Sequence, residues 1–171
     1  FLKNKKNNKE LIFKKILKIL SKLQSIKDKH VINFKNQKYK VKEYDNKILS
    51  IEANLFSEWY APRILNSFKM RNFKKRYNKE VKNLLLKLKF KNDTFVHRDF
   101  HISNLIYFKN NIAVIDSQDA LIGNKAYDLA SLVDDVRLKT SNKFKNKVLN
   151  YYLKKSQKNK SKKFINDFEI L

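Results

Sequence analysis

The sequence predicts a mainly α-helical chain with one small β-hairpin sheet, and three observations carry that reading. Apolar residues recur at helical spacing in five separate segments. Two short apolar runs, 105–108 and 112–115, flank Asn110-Asn111, a dipeptide that tolerates the left-handed backbone angles of a tight turn. The resulting order is helix, helix, helix, hairpin, helix, helix, with no internal repeat. At 171 residues this is enough for one domain with a real core, or for part of a larger one.

Asn7 is placed to cap the first helix, with Glu10 in its first turn and Leu11, Ile12, Ile16, Leu20, Leu23 and Ile26 along one side. The other side is lysine-rich, which suits a helix of a packed domain; the alternative is a helix lying on a membrane. Residues 30–42 read as loop with a short extended piece. Asp45 caps a second helix that carries Ile48, Ile51, Leu55, Phe56, Trp59 and Tyr60, and Pro62 should end or kink it. A third presents Phe73, Tyr77, Val81, Leu84, Leu85 and Leu88 on one face and leads into the hairpin. Beyond the hairpin, Gly123 and Asn124 form a turn, and Asn124 caps a helix holding Tyr127, Leu129, Leu132, Val133 and Val136. The segment 143–154 forms another around Phe144, Val148, Leu149 and Tyr152. The basic run 156–163 is expected at the surface, while 164–171 turns apolar again, to pack back or to open a further element.

Composition narrows the chemistry. There is no cysteine, which removes disulfides, thiolate metal sites and a cysteine nucleophile and fits a reducing cytoplasm. No run of eighteen apolar residues and no signal peptide occur, so a soluble, cytoplasmic protein with no membrane partner is expected. A net charge of +24 raises nucleic acid as a partner. The lysines, however, are spread along the chain rather than gathered into a motif, and they accompany abundant Asn, Ile and Phe, the signature of an A/T-rich coding bias. Attraction to polyanions at low salt is expected, without a specific nucleic-acid partner.

Against that basic background, residues 93–137 hold seven acids and four bases. Acid is gathered where a divalent cation would sit, although Asp134 and Asp135 read as a solvated helix face. Within the same region lies TFVHRDFHISNLIYFKNNIAVIDSQD, residues 94–119. His97-Arg98-Asp99, four further residues and Asn104 form the pattern H-R-D-x-x-x-x-N, and Asp116 follows the hairpin. Phosphoryl transfer asks mainly for alignment of the acceptor hydroxyl and compensation of phosphate charge. Asp99 is the residue to orient that hydroxyl and take its proton. Asn104 and Asp116 offer hard oxygens to Mg2+, which keeps several waters and phosphate oxygens and so needs few protein ligands. The hairpin length returns Asp116 next to Asn104.

VHRDFHISNL together with IDSQDALIGNKAYDLASLVDD resembles the aminoglycoside phosphotransferase family, whose fold is related to those of protein and choline kinases. LFSEWY at 55–60 and Gln118-Asp119-Ala120 resemble the branch that phosphorylates N-acetylmuramate and N-acetylglucosamine at C1. The resemblance spans about 48–136 and implies an ATP- and Mg2+-dependent kinase acting on a small-molecule hydroxyl. It makes Asp99 the catalytic base, His97 and Arg98 the leading pair of the catalytic loop, Asn104 and Asp116 the magnesium ligands, and Asp128 the support of that loop. His101, Asp119, Trp59 and Glu58 become candidates for contact with phosphate or sugar. Ser117 departs from the pattern, standing where this branch usually has Phe. Such kinases also carry an N-terminal lobe with an ATP-binding strand lysine, which nothing before the first helix supplies, and a single glycine leaves no phosphate-cradling loop. The whole chain, 1–171, is therefore expected to be the C-terminal lobe of a protein-kinase-like α+β fold, with little activity in isolation. Two other readings stay open: a basic nucleic-acid-binding module with incidental Asp and Asn residues, and a catalytically dead scaffold of kinase shape.

Overall fold

The computed structural model describes residues 8–154 and 158–171. Its first helix, α1 (Lys9–Leu23), begins where the Leu11 N–H donates to Asn8 Oδ1 at 3.1 Å. The expected cap, Asn7, lies outside the described residues. Ile12, Phe13, Ile16, Leu17 and Leu20 face inward, whereas Leu11 and Ile26 are exposed, because the inward stripe runs between the 12-16-20 and 13-17 rows. Each fully buried side chain of this size contributes up to about 1.5–3 kcal/mol. The residues that follow are more ordered than the expected loop: β1 (His30–Ile32) and β2 (Lys38–Lys40) pair as an antiparallel hairpin.

Asp45 caps α2 (Asn46–Leu55) as expected, accepting the Ile48 N–H at 2.9 Å. The helix then widens into a π turn over Phe56–Tyr60, followed by a 3-10 turn over Ala61–Arg63. Pro62 has no N–H to continue the α ladder, and the Ala61 N–H reaches back five residues to Phe56 O. In α3 (Ser67–Leu85), capped by Asn66, Phe73 and Tyr77 stack at 5.6 Å between ring centres, and Tyr77 meets Phe56 at the same separation. Leu88 lies beyond the helix end.

Three two-stranded antiparallel sheets are described. Besides the β1–β2 hairpin, β4 (Leu105–Phe108) pairs with β5 (Asn111–Val114) around the expected Asn-Asn turn. Asn110 stands at φ 66° there. Less legible locally is the pairing of β3 (Thr94–Val96) with β6 (Leu121–Gly123), whose partners are 25–29 residues apart in the chain. Gly123 is thus strand, not turn. Its small size is required by close approach: a Cβ there would lie 3.0 Å from Tyr44 Cβ and 3.1 Å from Val96 Cγ2. Gly123→Ala should therefore cost about 1–3 kcal/mol in a urea melt, the usual scale of overpacking.

The last three helices are α4 (Tyr127–Val133), α5 (Asn142–Leu153) and α6 (Lys158–Ile170). Asn124 is not the cap of α4: the N-cap position is Ala126, without a side-chain bond, and Asn124 instead holds the turn ahead of it by accepting the Ala126 N–H at 2.9 Å, while Val136 lies past the helix and is exposed. Ser141 caps α5, starting it one residue earlier than the apolar spacing suggests. In the basic run, Lys162 and Lys163 are exposed; 155–157 lie outside the described residues. The apolar tail packs back. Phe164 is buried, and the fully buried Asp167 accepts the N–H groups of Lys89 and Phe90 at 2.7 and 2.8 Å and Asn124 Nδ2 at 2.7 Å.

The main core joins α1, α4, α5 and α6 around Phe100, and a smaller one joins Tyr44, Leu49, Leu85 and Val96. Residues 97–104 leave β3 between these two cores. The fold is mainly helical with small antiparallel sheets, as the sequence predicts. No helix among the described residues is long and apolar enough to cross a membrane.

Candidate active site

The loop 97–104 is short of regular structure, so its backbone amides need partners from elsewhere. Asp128, in the first turn of α4, supplies them: its carboxylate accepts the His97 N–H at 2.9 Å and the Arg98 N–H at 3.1 Å. Asp128 is fully buried, and that burial pushes its carboxyl up to about 7 despite the two amides. The far end of the loop is held similarly, the Ile102 N–H donating to Asp135 Oδ2 at 2.9 Å. Asp135 is thus not the solvated residue its position suggested; only Asp134 is exposed, where it pairs with Lys145.

Arg98 adopts φ 72°, a left-handed turn that directs the chain into Asp99. The Asp99 side chain is 48% exposed, and His101 Nε2 lies 4.0 Å from its Oδ1. Beneath it, Asn104 Nδ2 donates to the Asp99 carbonyl at 3.0 Å, which fixes the buried amide and turns Oδ1 the other way. The hairpin then does what its length predicts. Leu105 pairs with Val114, the Ile115 N–H donates to Asn104 O at 3.1 Å, and Asp116 follows one residue later at φ 69°. Asp116 Oδ1 accepts from Gln118 Nε2 at 2.8 Å, with the carboxylate otherwise exposed.

His97 locks the two arms together. Its Nε2 lies 3.1 Å from Ile115 O, and because a carbonyl only accepts, this nitrogen carries the proton. Burial holds the ring below the ordinary imidazole range, favouring its neutral form. His97 and Arg98 thus act through the backbone around Asp99. His101 lines a groove of about 540 Å³ with Ser131, Asp134, Asp135 and Arg137. Asp119 touches the site through its carbonyl, which accepts from Arg98 Nη1 at 3.2 Å, while the residue itself is exposed.

Two candidates sit apart from this cluster. Glu58 lies 3.6 Å from Lys74 of α3, and Trp59 is 69% exposed on the π turn. Among the described residues, no interaction joins either to the loop 97–104. Ser117 is exposed, its carbonyl accepting the Ala120 N–H at 3.1 Å, so no apolar side chain backs Asp116 at that position. Sequence reasoning missed Glu52 and Tyr44, which meet Arg98: Glu52 pairs with its guanidinium, and the Tyr44 ring lies 5.1 Å beneath it. Neither residue carries a local signal, since each acts across a fold contact.

Magnesium can be tested against this donor set. Asn104 Oδ1 and the Asp116 carboxylate are hard oxygens on adjacent arms, the pair a cation that keeps its waters requires. Among the described residues no three His, Asp or Glu side chains form a self-sufficient metal cage. Two hard oxygens suit a cation that fills the rest of its shell with water and phosphate oxygens.

The model of the phosphotransferase enzyme family matches residues 6–161. The chain is 36% identical over 105 residues to an N-acetylmuramate/N-acetylglucosamine kinase of Neisseria meningitidis, a match covering 60% of this chain and 30% of that protein. It is 33% identical over 114 residues to the kinase of that name from Pseudomonas aeruginosa, covering 66% and 33%. A third, from Pseudomonas putida, is 34% identical over 93 residues, covering 54% and 27%. The chain thus spans about a third of the length of the curated relatives it matches. Since the family match runs through nearly the whole chain, the loop 97–104 and the hairpin after it included, this chain belongs to the phosphotransferase enzyme family.

Proposed function

We propose that this chain is the C-terminal lobe of a kinase-like enzyme that moves the γ-phosphate of ATP onto a hydroxyl of a small acceptor. The observation that carries the reading is the paired loop and hairpin: Asp128 holds the backbone ahead of Asp99, and the β4–β5 ladder returns Asp116 beside Asn104. Asp99 accepts a hydrogen bond from the acceptor hydroxyl, aims it at phosphorus and takes its proton as the new P–O bond forms and the bond to ADP breaks. Asn104 and Asp116 would hold Mg2+, which would offset charge on the phosphate oxygens. His97 keeps both arms in register, and His101, on the lining of the groove, meets acceptor or phosphate.

The acceptor is an amino sugar, phosphorylated at its anomeric hydroxyl. This rests on the names of the relatives, on the resemblance of 55–60 and 118–120, and on a groove whose Ser131, Asp134, Asp135 and Arg137 suit a polyhydroxylated ligand. Glu58 and Trp59 belong to this reading only where the substrate reaches the π turn.

Incubating the full-length protein with ATP, Mg2+ and N-acetylglucosamine or N-acetylmuramate, and following the product by 31P NMR, tests the reading. A sugar 1-phosphate is expected. ATP hydrolysis without a phosphorylated sugar would remove the acceptor assignment, and no ATP consumption with any hydroxyl acceptor would remove the activity.

A further inference from the structure

We propose that Glu52 of α2 is a positioning residue that sets the register between the Asp99 arm and the Asp116 arm through the Arg98 guanidinium; this rests on the function proposed above. Arg98 immediately precedes Asp99 and stands at φ 72°, a conformation that a residue with a Cβ keeps only when its surroundings impose it. Three contacts on the side chain do so. Nη2 donates to Glu52 Oε1, Nη1 donates to Asp119 O at 3.2 Å, and the guanidinium plane covers Tyr44 at 5.1 Å.

These contacts do not all come from one place. Asp119 is three residues beyond Asp116, so a single guanidinium touches the segment after one site residue while its own backbone leads into the other. Glu52 decides where that guanidinium sits. Its side chain is 31% exposed and that of Arg98 25%, a partly sheltered pair less screened than a surface ion pair. The second carboxylate oxygen is also occupied, accepting from Tyr44 Oη. Tyr44 is buried and meets the Tyr127 ring edge-on at 4.8 Å, and Tyr127 adjoins Asp128. The circuit closes: side chains reach the Arg98 guanidinium from α2 and from the Tyr44 segment, and the carboxylate on its backbone N–H comes from α4.

The substitution that isolates this role is Glu52→Gln, which keeps the size and an acceptor for Tyr44 but removes the charge. In the full-length protein kcat should fall about 10-fold, the scale of a slightly misplaced reacting group, while KM for each substrate stays within about twofold. Amide hydrogen exchange across 97–104 should quicken about 10-fold, with exchange in α1 and α5 unchanged. Arg98→Gln should lose as much kcat, and the double variant no more than either alone. Unchanged loop exchange and kcat in Glu52→Gln would overturn the proposal. Faster exchange throughout the molecule would overturn it too, reducing Glu52 to a structural contact. Should the unsubstituted protein transfer no phosphate, the functional reading fails, and the exchange comparison still decides whether Glu52 sets the loop.

Discussion

Asp99→Asn should lower the turnover of the full-length protein by about 10²–10⁴-fold, the usual contribution of a positioned general base. The amide can still accept a hydrogen bond from the acceptor, but it cannot take the proton. KM for ATP should change little, because the nucleotide's cation is assigned to Asn104 and Asp116 rather than to Asp99. Stability should hold as well. The Asp99 side chain is half exposed and packs against nothing it supports, while its carbonyl, the group that binds Asn104 Nδ2, survives the exchange. Steady-state kinetics beside a thermal melt separate the two effects. A folded variant with undiminished turnover would exclude Asp99 as the base.

A larger structural penalty is expected at Asp128. Asp128→Ala leaves the His97 and Arg98 amides facing a cavity, and each buried unsatisfied donor costs about 1–3 kcal/mol. A loss of roughly 2–5 kcal/mol should follow, and with it the geometry of the loop, so activity falls along with stability. The effect should carry a pH signature. Burial raises the folded-state carboxyl from its ordinary 3.8 to about 7, so between these values the folded chain binds more protons than the unfolded one. Stability from this residue is therefore greatest below about pH 4 and declines as pH rises through 7, by at most about 1.4 kcal/mol per pH unit. Asp128→Asn, which cannot ionise, should lose that slope. Denaturant melts of both proteins from pH 4 to 8 supply the comparison, and parallel profiles would show that Asp128 does not titrate in this way.

Much of the site was legible because its logic is local. The four-residue gap from Asp99 to Asn104 and the Asn-Asn turn are short-range features, and a two-arm hairpin with one register can bring Asp116 back to only one place. The helices were legible for the same reason, with Asp45 capping where its side chain can reach a nearby N–H. Boundaries slipped where tertiary contacts outvoted periodicity. Leu11 and Ile26 were expected inside and are exposed, while Phe13 and Leu17 are buried, because the neighbours of α1 decide which part of a broad apolar stripe faces inward. Trp59, placed by its spacing on the apolar side of the second helix, is exposed on the π turn ahead of Pro62.

Sequence alone determined the geometry on which the proposed chemistry rests: the spacing of Asp99, Asn104 and Asp116, and a hairpin between the last two. Those facts depend on backbone geometry over a few residues, where each side chain's reach is set by its own position. Only the tertiary structure decided what keeps that geometry in place. Asp135 became a buried anchor instead of a surface acid, Gly123 a strand residue pressed against Tyr44, Asp167 a clamp on two distant segments, and Glu52 the partner of Arg98. Each of these joins residues about 30 or more positions apart. Such contacts form when burial leaves an amide or a cation without water and the nearest available oxygen comes from another part of the chain.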